Sequence, residues 1–127
     1  MGKLKTIKMK TPIIKYNDKF LDSVSIFMKV GGITIYPFVV MREKYLKGNS
    51  KRIVNHESIH IKQQQELLVV PFYVLYVLEW LVKSIIYKSF KKAYYNISFE
   101  REAYSNQRKW TYLNKRKNYA WFKRIIN

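Results

Sequence analysis

Residues 56–60 read His56-Glu57-Ser58-Ile59-His60, and this stretch holds both histidines of the 127-residue chain. On an α-helix, residues four apart lie on one face, about 40° apart around the axis. Two imidazole nitrogens so placed can share one metal ion. The glutamate between them points beside that ion, where its carboxylate can act as a general base toward water. The flanking residues predict a helix that turns this face inward. Ile53, His56, His60, Gln63 or Gln64, and Leu67 follow at three- and four-residue spacing from a start near Lys51. Asn49 or Ser50 is placed to cap it, and Pro71 to end or kink it and begin another.

On the N-terminal side, Gly31-Gly32 is the strongest turn signal. The β-branched and aromatic run Ile33–Tyr36, then Pro37, then Phe38–Met41 predicts one strand broken or bulged at the proline, or two short strands. Residues 1–20 mix lysines with apolar residues, as an edge strand or a loose arm would, and Pro12 interrupts the pattern. On the C-terminal side, residues 67–82 are almost wholly apolar. Sixteen residues fall short of the roughly 20 that span a bilayer, and Glu79 lies among them, so a buried central helix is expected. A third helix is expected from about Tyr94 to Asn114, with Ile97, Glu100, Tyr104 and Gln107 along one face. The basic, aromatic tail beyond it is expected to pack its rings on the domain and leave its charges wet. The chain thus reads as one α+β domain over residues 1–127. A small N-terminal sheet precedes about three α-helices, and the core covers about 30–108.

There is no cysteine, which excludes disulfides and thiolate metal sites. With no third histidine, a third metal ligand must be a carboxylate, and there are only eight acidic residues to choose from. Glu66 lies about 240° around the helix from His60 and faces away. Glu43 qualifies only if the strand end approaches the site, and Glu79 suits an indirect role or a buried ion pair. Glu100 and Glu102 are about 200° apart on a helix, so only one can face the metal. The more apolar company of Glu100 favours it, with Glu102 as the alternative.

The formal charge of +17 attracts polyanions, whether nucleic acid, an anionic membrane surface or acidic proteins. Lys62, Lys83, Lys88, Lys91 and Lys92 flank the apolar segment and suit peripheral contact with an anionic membrane. The first twenty residues lack a continuous apolar stretch and a small-residue cleavage site, so no signal peptide is expected. A cytoplasmic or virion-associated location follows as the expectation.

His56-Glu57-x-x-His60 followed by Glu100-x-x-Ala103 resembles the gluzincin metallopeptidases, in which a glutamate on a later helix completes the site. Phe99-Glu100-Arg101-Glu102-Ala103 is similar to the Glu-x-x-Ala-Asp motif of the prenyl-protein-protease-like gluzincins, and in size the chain is similar to the minigluzincins. The resemblance covers roughly residues 30–108. It implies a zincin-like fold, Zn²⁺ held by His56, His60 and Glu100, and Glu57 as general base in the hydrolysis of peptide bonds. It also implies an edge strand, here within Ile33–Met41, on which a peptide or protein substrate can add. A tyrosine would have to help stabilise the oxyanion, and Tyr94, Tyr95 and Tyr104 are near enough in sequence. Tyr104 stands where the related motif carries an aspartate that accepts a hydrogen bond from a ligand histidine; its hydroxyl could accept such a bond. Tyr104, Gln63 and Gln64 are therefore the residues expected to orient ligands from behind. The alternative is a non-catalytic zinc-binding protein on the same scaffold. It would be a structural or binding component of a larger assembly, of phage or nucleic-acid-containing type, with its basic surface on nucleic acid or partner proteins.

Overall fold

The structure, a computed structural model, describes residues 12–25, 30–48 and 50–126. Three short strands, β1 (Ile13–Tyr16), β2 (Gly32–Ile35) and β3 (Phe38–Met41), form a mixed sheet in the order β1-β3-β2. The central β3 runs parallel to β1, with Ile13 opposite Phe38, and antiparallel to β2, with Ile35 opposite Phe38. The run from Ile33 to Met41 is therefore two strands joined by a tight turn at Tyr36-Pro37. Proline has no N–H for a ladder and fixes its own φ, so it belongs in that turn. A short helix, α1 (Asp18–Val24), fills the connection after β1, and Asn17 Oδ1 caps it by accepting from the Phe20 N–H at 2.9 Å. The alternating residues 3–10 and Asn49 lie outside the described residues. Ser50 precedes the next helix without a side-chain capping bond, a correction to its expected role. Its carbonyl instead accepts from the Val54 N–H at 2.9 Å.

Five helices follow: α2 (Lys51–Leu67), α3 (Val69–Tyr87), α4 (Phe90–Asn96), α5 (Ser98–Asn106) and α6 (Tyr112–Lys115). With α1 this makes six helices among the described residues, more than the three expected. The α2–α3 break falls at Leu68, in the left-handed region at φ 71°. Pro71 sits in the first turn of α3, as expected of a proline that begins a second helix, because the N–H it lacks would have no intrahelical partner there. The single helix expected over residues 94–114 is also divided. Ile97 is extended (φ −61°, ψ 134°), and Ser98 starts a new helix. Glu79 of α3 secures that start, accepting from the Ser98 N–H at 2.7 Å and the Ser98 hydroxyl at 2.6 Å. A carboxylate there also faces the positive end of the α5 dipole. Lys83 completes the junction by pairing with Glu79 at 2.7 Å, so Glu79 is the ion-pair member that sequence offered as one of its two roles.

The central helix is α2, not α3. Packed against β2 on one side and α5 on another, α2 buries polar side chains from His56 to Gln64 along with Ile53, Ile59 and Ile61. The more apolar α3 buries only Phe72, and outward residues such as Val70 and Ile85 are 72% and 78% exposed. The expectation of a buried helix over residues 67–82 is corrected. Apolar composition favours leaving water, but α3 meets the domain through one aromatic face and no other described element covers the opposite one. Two clusters hold the layers together. Val39, Met41, Ile53 and Ile61 join the sheet to α2, while Phe72, Ile97, Phe99 and Trp121 join α3, α5 and the C-terminal segment. Of the rings in the tail Trp121 packs inward, whereas Tyr119 and Phe122 are exposed and the Arg116 charge is buried, so the expected division into packed rings and wet charges holds only in part.

Candidate metal centre

The spacing of His56 and His60 puts both rings on the α2 face turned toward α5, where Glu100 occupies the first turn. His56 Nε2 lies 3.1 Å and His60 Nε2 3.2 Å from the same oxygen, Glu100 Oε1. All three residues are buried. Ligand atoms of a tetrahedral zinc, with bonds near 2.0–2.2 Å, stand about 3.3 Å apart. The donor set of two imidazoles and one carboxylate, at this spacing, fits such an ion. Among the described residues this is the one group of histidine and acidic side chains that could hold a metal.

Each ligand is held from behind. Gln63 Oε1 lies 2.7 Å from His60 Nδ1, and Gln107 Oε1 lies 2.9 Å from His56 Nδ1. The Gln63 amide is oriented by its other end, which donates to Phe99 O at 3.1 Å and Glu102 Oε1 at 2.9 Å. Asn55 steadies the second partner by donating to the Gln107 carbonyl at 2.8 Å. With an amide oxygen as acceptor, each Nδ1 would keep its proton on binding a cation, leaving each Nε2 lone pair free to ligate it. Tyr76 donates to Glu100 Oε2 at 2.5 Å. Burial, and then the Glu100 charge, pushes the Tyr76 phenol well above its ordinary value, so it remains a donor. Burial alone would lower His60, but Glu100, Glu57 and the Gln63 bond raise it to about 9. Burial likewise opposes ionisation of Glu100, yet the two imidazoles hold its carboxyl well below the ordinary range.

Glu57 shares the α2 turn with His56 and points toward the sheet. Its Oε1 accepts from the Thr34 hydroxyl of β2 at 2.7 Å. A Cβ on Gly32 would stand 3.4 Å from Glu57 Oε2 and 3.3 Å from the Val40 carbonyl. The strand therefore approaches the carboxylate closely because residue 32 has no side chain. His56, Glu57, His60 and Glu100 line one cavity of about 560 Å³, walled by β2 on one side and by Tyr73, Tyr76 and Tyr94 on another.

The other predicted residues separate. Glu102 is fully buried away from the histidines, paired with Arg116 at 2.5 Å. Glu66 faces away as expected and pairs with the same Arg116 at 2.7 Å. Glu43 is exposed, in a 3-10 turn over Glu43–Lys47. Tyr104 stacks edge-on to His56 with ring centres 4.5 Å apart, but its hydroxyl bonds to the Tyr94 hydroxyl at 3.0 Å. The position facing His56 Nδ1 belongs to Gln107, two turns beyond Glu100 on the same face. Gln64 does not meet a histidine. It binds β2, donating to Thr34 O at 2.8 Å and accepting from the Tyr36 N–H at 2.7 Å. Thr34, Tyr73 and Tyr76 are additions. They carry no local signal, because only packing of the hairpin and α3 onto α2 brings them to the site.

Comparison with known proteins gave no match, whether to a family model, a curated protein or a solved structure.

Proposed function

We propose that this protein is a small zinc-dependent peptidase of the gluzincin type, with a zincin-like arrangement of sheet and active helix. The observation that carries the reading is the meeting of His56 Nε2 and His60 Nε2 on Glu100 Oε1, with Glu57 lining the same cavity. His56, His60 and Glu100 would hold the ion, which when bound supplies Lewis acidity and brings the pKa of a water toward neutrality. The chain's own groups do the rest. Glu57, held by Thr34, accepts the proton of the attacking water and delivers it to the leaving amine. Tyr94 and Tyr104 share one hydrogen bond, which uses only one of their two hydroxyl protons. The other can donate to the oxygen of the scissile carbonyl.

Strand addition to β2 is confined to its glycine end. Thr34 O is bound by Gln64 and by the Tyr73 hydroxyl, and the Tyr36 N–H is bound by Gln64. The edge near Gly31 and Gly32, beside Glu57, is where a substrate peptide would pair.

The test is Glu57→Gln in zinc-loaded protein, assayed on a peptide library with metal content measured alongside. The variant should keep its zinc and lose about 10²–10⁴-fold in cleavage rate. Equal cleavage by both proteins removes Glu57 from the mechanism. Zinc retention without cleavage by the wild type would favour the non-catalytic scaffold.

A further inference from the structure

Helix α3 is inverted relative to an ordinary surface helix. Its charged groups and, apart from Tyr87 at its end, its aromatic rings point into the domain. Tyr73 and Tyr76 reach Thr34 and Glu100, while Glu79 and Lys83 pair with each other at the start of α5. The opposite face, about half the circumference at 100° per residue, is aliphatic from Val70 to Ile86. At its centre Val74, Leu78 and Val82 are 53%, 54% and 55% exposed. Soluble monomers rarely leave so continuous an apolar surface in water.

We infer that this face of α3 docks on an anionic lipid bilayer, with the helix lying in the interfacial plane. Three observations select lipid as the occupant. The face presents no hydrogen-bonding group to be satisfied, as hydrocarbon requires and as protein interfaces, with their polar rims and arginine or tyrosine anchors, do not. Both charged residues of the helix, Glu79 and Lys83, are turned inward and paired. Exposed Lys88, Lys91 and Lys92 follow at its C-terminal end, and the chain carries a net +17, which complements acidic headgroups. The helix lies flat because its other face is committed to the metal centre, an arrangement that suits interfacial helices. The cavity wall formed by Tyr73 and Tyr76 is then separated from lipid by a single helix, roughly 10 Å across.

The experiment is flotation of the full chain with vesicles of phosphatidylcholine alone or mixed with phosphatidylserine. Wild type should float with the mixed vesicles and less with the neutral ones. Combined Val74→Gln, Leu78→Gln and Val82→Gln should reduce flotation by at least about tenfold with the helical circular dichroism retained. Combined Lys88→Gln, Lys91→Gln and Lys92→Gln, which touches no core residue, should also reduce it by about tenfold or more. Wild type remaining in the aqueous fraction, or either variant floating at the wild-type level, overturns the inference. So does a lipid-free dimer that the glutamine face converts to monomer while neither protein floats, which assigns the face to a second copy. Flotation requires neither ion nor cleavage, so this proposal and the peptidase reading fail separately.

Discussion

Glu100 and Glu102 stand two residues apart on α5, both buried, and end in opposite chemical settings. Glu102 meets a fixed cation. Arg116 donates to its two oxygens at 2.5 and 3.1 Å, and Tyr112 and Gln63 add bonds at 2.7 and 2.9 Å. The same guanidinium grips Glu66 with two further bonds. The partners of Glu100 are two imidazoles and a phenol. A guanidinium keeps its charge at any accessible pH, so the first cluster is permanently closed. Imidazoles can give up their protons, so the second cluster can exchange protons for a metal. Burial alone does not distinguish the two carboxylates; what faces each of them does. The clusters are also joined, because Gln63 touches Glu102 with its amide nitrogen and His60 with its oxygen.

The sharpest way to break this contrast is to remove each carboxylate in turn. Glu100→Ala should lower zinc affinity by more than about a hundredfold, since it takes away a charged ligand rather than a residue behind one. Glu102→Ala should keep the ion but lose about 3 kcal/mol of stability in denaturant unfolding, because Arg116 is left with Glu66 alone. Loss of zinc only in the second variant would reverse the assignment. Next in size is Gln107→Ala, expected to weaken zinc binding about 10–100-fold by freeing the His56 ring while the metal-free melting temperature barely moves. A calorimetric titration with no change would show that Gln107 is a bystander.

The smallest effect is a pH dependence. In metal-free protein, protonated His60 stabilises the fold through Glu100. Its value is raised above 6.5 to about 9, so this contribution is complete below about pH 6.5 and lost as pH rises through about 9. Thermal unfolding of the metal-free protein should therefore weaken across that window. The zinc-loaded protein should not, because at these sites metal replaces the proton. Parallel behaviour of the two forms would mean that zinc binds elsewhere.

Much of the candidate site could be read from the chain. Helical spacing puts His56 and His60 on one face, and the same rule separates Glu100 from Glu102 and aligns Gln107 with Glu100. The supporting roles were harder to read. Gln63 and Gln64 are neighbours of similar chemistry, yet one faces α5 and a histidine while the other faces β2. Tyr104 looked fit to orient His56, but its hydroxyl meets Tyr94, which α4 brings near. The least legible region was α3. Its hydropathy suggested a buried centre, whereas the polar α2 holds that place because its amides, imidazoles and Glu57 all find partners there.

By itself the sequence determined that two imidazoles share a helix face with a glutamate beside them, and that any third ligand is a carboxylate. Those are consequences of a fixed 3.6-residue period and of composition, which act locally. Only the tertiary structure decided which carboxylate meets the histidines, which amides stand behind them and which helix lies outside. Each of these depends on several elements covering one another at once, and no spacing along a single helix specifies what will cover it.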